Sequence, residues 1–148
     1  MDPIVKKITD NRNKIEIGLT ALTLGLLLVS HVAHMGAVLI ISFFLLAIFY
    51  FLRAFAAVQT EALYGAMALK ICNIGSSVAV IGYGFHFQRM EGDLQLMMIG
   101  LLSVAASMVL LLYFFATSKN KEYLVLLIRG LAILLIVGSE YLHESGVL

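Results

Sequence analysis

Apolar residues run almost unbroken from Ile15 to Leu52, and return from Ala66 to Phe87, Leu94 to Ala116 and Tyr123 to Gly138. Charged residues collect at the breaks between these runs. As one helix, residues 15 to 52 would measure about 57 Å, against a bilayer hydrocarbon core of about 30 Å. That first run must therefore fold back on itself, and Ser30-His31-Val32-Ala33-His34-Met35-Gly36 supplies the turn. The pattern predicts five spans, at about 15–30, 36–52, 66–87, 94–116 and 123–139. The expected fold is an all-α, polytopic membrane helical bundle forming a single transmembrane domain over residues 1–148.

Two segments fit neither a span nor a plain turn. Residues 1–14 are too charged to enter lipid, and Asp2-Pro3 reads as an N-cap followed by a first helical position. Ile4, Val5 and Ile8 would share one face, which predicts a short helix on the membrane surface. Between the second and third spans, Arg53, Thr60, Glu61 and Tyr64 fall roughly together, which predicts an interfacial helix over about 53–69.

The third span is unusually rich in small and polar residues: Asn73, Gly75, Ser76, Ser77, Ala79, Gly82 and Gly84. Such residues let neighbouring helices approach closely, so this helix belongs in the middle of the bundle. Gly18 and Gly25 in the first span repeat the Gly-x6-Gly spacing of Gly75 and Gly82, which places each pair on nearly one side of its helix. These four glycines are the expected helix-packing positions. Two repeated helical hairpins plus a fifth helix would account for the echo.

Composition closes off most other classes. Of 148 residues, 61% are hydrophobic and 13% charged, where a soluble domain carries about 25% charged residues. The single cysteine, Cys72, excludes an intrachain disulfide and any multi-cysteine centre. With the N-terminus in the cytoplasm, five spans put Lys6, Lys7, Arg12, Lys14, Arg53, Lys70, Lys119, Lys121 and Arg129 on the inner side. Only Arg89 falls outside, which the positive-inside rule favours. The expected topology is N-in, C-out, in a bacterial inner membrane.

That topology sorts the remaining polar residues into two layers. Glu16, Lys70, Asn73 and Arg129 lie in the first turns of the odd-numbered spans and form an intramembrane charged layer. A charge at that depth must snorkel or pair, so Glu16 with Lys70 or Arg129 would fix helix register. All four histidines, His31, His34, His86 and His143, fall on the outer side with Glu91, Asp93, Glu140 and Glu144. Imidazoles beside carboxylates suit zinc or copper, and paired imidazoles suit haem; they also titrate near neutral pH. No metal, haem, redox or phosphate-binding motif accompanies them.

No external segment exceeds about 15 residues, so little soluble mass is available to house chemistry outside the bilayer. The sequence therefore predicts a non-enzymatic integral membrane protein without a cofactor. It would act through helix–helix association, as a homo-oligomer or as a subunit of a larger membrane complex. Its partners are lipid and membrane helices, not nucleic acid. Two alternatives follow from the polar layers: an ion or proton channel or transporter with a path along the third span, and an outer-face subunit carrying a transition metal or haem.

Overall fold

A computed structural model describes residues 36–55, 63–118 and 121–146, together with Asn11, Lys14, Ile15, Ile17, Gly18, Thr20, Ala21, Leu22 and Gly25. The described residues from Lys14 to Gly25 are helical, and four long helices follow. They are α1 (Gly36–Phe55), α2 (Leu63–Phe87), α3 (Asp93–Ser118) and α4 (Lys121–Glu144). Each is long and apolar enough to cross a membrane, and there is no strand among the described residues. Among its described residues the chain is all-helical, and its long apolar helices make it a membrane protein.

Helix ends differ from the sequence expectation where a charged or polar residue extends a helix. Arg53 to Phe55 belong to α1, and Leu63 to Leu69 open α2, so the described ends of the expected interfacial helix are the tips of two spans. A basic residue in a last turn favours the carbonyl end of the helix dipole, which suits Arg53 at the close of α1. The last span continues past Gly138 to Glu144. It closes at Gly146, whose φ of 73° is the left-handed value that ends helices.

Consecutive helices are antiparallel. A Cβ placed on Gly75 would lie 2.8 Å from the Ser103 Cβ, one on Gly82 would lie 2.6 Å from the Met97 nitrogen, and one on Gly100 would lie 2.6 Å from the Ala79 Cα. Positions rise along α2 as they fall along α3, so the two backbones run past each other almost in contact. In lipid the apolar surroundings give no hydrophobic drive for helices to associate, so close packing of small residues carries much of the attraction. On another face of α2, Phe43 of α1 lies over Gly84, and the Ser77 hydroxyl donates to the Ala47 carbonyl oxygen at 2.8 Å. Met108 of α3 fills the space beside Gly130 of α4.

The hub is α2, which packs against α1, α3 and α4. Its buried face includes Ala68, Leu69, Cys72, Asn73, Ser76, Ala79 and Val80. One core gathers Leu39, Phe43, Leu46, Ala47 and Tyr50 of α1 with Ala79, Val80, Met97, Ile133 and Val137. A second joins Ala68, Leu69 and Cys72 to Leu111, Tyr123, Leu126 and Leu127. The outward faces of α3 and α4 are apolar, carrying Leu102, Val109, Leu112, Ile128, Leu131 and Leu135, as lipid requires.

Candidate functional site

Polar chemistry in the described bundle concentrates at two levels. The first lies about two to three turns into α2 and α4, which run parallel. Asn73 occupies the buried side of α2, and its amide nitrogen donates to the Leu69 carbonyl oxygen at 2.8 Å. That bond turns the amide oxygen towards α4, where the Arg129 Nη2 donates to it at 2.7 Å. The Arg129 guanidinium carbon also sits 4.6 Å from the centroid of the Tyr50 ring, which α1 contributes. Arg129, Asn73 and Tyr50 are 8%, 2% and 3% exposed, so a full positive charge is enclosed within the helices.

Arginine suits this place better than lysine. Its planar guanidinium is less strongly hydrated than an ammonium, and it offers one face to an aromatic ring while its edge donates hydrogen bonds. The contact also reaches across a gap: the backbones of α1 and α4 do not approach each other closely, and Arg129 is long enough to touch Tyr50. Lys70, one turn before Asn73, is exposed instead. Its flexible stem can carry the ammonium towards headgroups. Glu16, the expected acid of this layer, lies outside the described residues.

The second level is the opposite end of α2. Residues 85–90 close the helix with three tail hydrogen bonds, from the Gln88 and Met90 N–H groups to Phe85 O, each at 3.0 Å, and from the Arg89 N–H to His86 O at 2.9 Å. Arg89 takes the left-handed position of this closure with φ 53°, where glycine is the usual occupant. Gly92, at φ 86°, then reverses the chain into α3. The turn brings Asp93 against His86, whose Nδ1 lies 2.9 Å from the Asp93 Oδ2. The other carboxylate oxygen of Asp93 accepts the Leu94 N–H at 2.7 Å. From α4, the Glu144 Oε1 stands 3.9 Å from the His86 Nε2.

His86 therefore faces a different carboxylate with each ring nitrogen, a geometry that spreads the three groups instead of converging them on one point. No group of three or more His, Cys, Asp or Glu side chains among the described residues could hold a metal ion. His143 is exposed near the end of α4. His31 and His34, the other candidate ligands, lie outside the described residues.

The four candidate packing glycines divide. Gly75 and Gly82 lie in the closest part of the α2–α3 contact, whereas a Cβ on Gly18 or Gly25 would meet nothing within 4 Å among the described residues. The matching spacing of the two pairs thus accompanies two different environments.

Sequence reasoning did not single out Tyr50. Its signal was present: it is the one ring with a polar tip in Phe43-Phe44-Leu45-Leu46-Ala47-Ile48-Phe49-Tyr50-Phe51. Asp93 and Glu144 were placed on the histidine side but not assigned to His86. Comparison with protein-family profiles, curated proteins and solved structures finds no match to this chain.

Proposed function

We propose that the protein is a non-enzymatic inner-membrane component that works by helix association, N-terminus inside and C-terminus outside. The observation that carries this reading is how four of the buried polar side chains are used. Arg129, Asn73, Tyr50 and Ser77 all lie in contacts that join one helix to another. Chemistry of this kind builds a scaffold and sets the register of its parts.

Association beyond the single chain is supported by the hub helix. With α1, α3 and α4 on its other sides, α2 leaves Met67, Ile71 and Ile74 exposed as one stripe at helical spacing. The orientation is supported by charge: Arg53, Lys70 and Arg129 share one end of the described bundle, and Arg89 stands alone at the other.

Gentle detergent extraction followed by native sizing tests this function. The expected product is larger than one chain, containing either further copies or another membrane subunit. Ile74→Cys in a Cys72→Ala background should then crosslink to the neighbour. A lone monomer that forms no crosslink in native membranes would sink the proposal.

A further inference from the structure

We propose that His86 is a proton-operated latch that ties the last turn of α4 to the α2–α3 turn. The latch has three parts on three elements. His86 lies in the last turn of α2, Asp93 begins α3, and Glu144 is the final residue of α4. The imidazole stands between the carboxylates, 2.9 Å from Asp93 through Nδ1 and 3.9 Å from Glu144 through Nε2.

The two contacts make different demands on the ring. A neutral imidazole has one N–H and one lone pair, whereas the imidazolium has two N–H groups. Neutral His86 with its proton on Nδ1 donates to Asp93 and turns a lone pair towards the Glu144 carboxylate, which is repulsive. Protonated His86 donates to Asp93 and attracts Glu144 at the same time. Histidine is the side chain whose charge ordinarily changes between about pH 5 and 8, so the second contact is governed by a proton. Only the imidazolium can hold both carboxylates at once, so the closed latch belongs to the protonated ring and opens when that proton is lost.

The difference in burial identifies which half moves. Asp93 and His86 side chains are 20% and 21% exposed, and Asp93 is also anchored by the Leu94 N–H. Glu144 is 50% exposed and is the last residue of its helix, two residues before the Gly146 reversal. Release of Glu144 therefore frees the end of α4 and leaves the α2–α3 turn intact. Other ionisable groups nearby are Arg89 and Glu91 in the turn, Tyr83 one turn earlier on α2, and Glu140, Tyr141 and His143 on α4. The part of α1 from Ala37 to Phe49 contributes none.

Spin labels on Gln88→Cys and Ser145→Cys, in full-length protein carrying Cys72→Ala and held in lipid nanodiscs, report the distance across the latch. Pulsed dipolar spectroscopy at about pH 5 and about pH 8 brackets the ordinary histidine range. The expected result is a narrow distribution at the acid value and a broader one at the alkaline value. Glu144→Gln, a change at a half-exposed terminal position, should give the same distribution at both, as should His86→Gln. His143→Gln should keep the wild-type response. A distribution that ignores pH in the parent protein, or a response that survives Glu144→Gln or His86→Gln, would overturn the latch. So would loss of the response in His143→Gln.

Discussion

The Arg129 guanidinium donates to the Asn73 amide oxygen across 2.7 Å, joining two parallel helices through residues 56 positions apart in sequence. The same guanidinium lies over Tyr50, so one side chain links α4 to both α2 and α1. A cation at this depth is costly in lipid and is retained where protein groups surround it.

Asn73→Leu should destabilise the bundle by about 2 kcal/mol, the scale of a hydrogen bond to a charged group. Arg129→Met in the same chain should recover part of that loss, because it removes the charge that lost an acceptor. Reversible unfolding of the two single variants and the double variant in mixed detergent checks this. Strictly additive losses would show that the two residues are not coupled.

Tyr50 offers a ring face to Arg129, and the face does not depend on the hydroxyl. Tyr50→Phe should therefore stay within about 0.5 kcal/mol of the parent, while Tyr50→Leu should lose about 1 to 2 kcal/mol. The same unfolding assay separates them. Equal losses for Phe and Leu would assign the effect to the hydroxyl.

Gly100 faces the Ala79 backbone, and a Cβ there would fall 2.6 Å from the Ala79 Cα. Backbone cannot move aside as a flexible side chain can, so Gly100→Ala should push α2 and α3 apart and cost about 1 to 3 kcal/mol. Gly18→Ala and Gly25→Ala meet no described residue within 4 Å and should be neutral or slightly stabilising, through the better helix propensity of alanine. Melting temperatures in one detergent rank the three; an equal drop in all would refute the assignment.

The proposed orientation predicts which labels a membrane-impermeant maleimide reaches. In a Cys72→Ala background, Arg89→Cys and Ser145→Cys should react in intact cells or spheroplasts. Thr117→Cys, at the arginine end, should react only after permeabilisation. The reverse pattern would invert the topology and leave the helix contacts unchanged.

Apolar run length was enough to locate four of the five expected spans to within a few residues, apart from the extended C-terminal end of the last; the first lies largely outside the described residues. Hydrocarbon thickness sets a length that a one-dimensional string can be measured against. The small residues of α2 likewise marked it as the helix that others approach. Lateral neighbours were another matter. Lipid and protein interior are about equally apolar, so hydrophobic periodicity says little about which face of a span meets protein. Only the rotation and stacking of the helices brought Tyr50 under Arg129, separated the environments of the two glycine pairs, and set His86 between Asp93 and Glu144. Those contacts depend on depth and azimuth together, and sequence spacing supplies only the first.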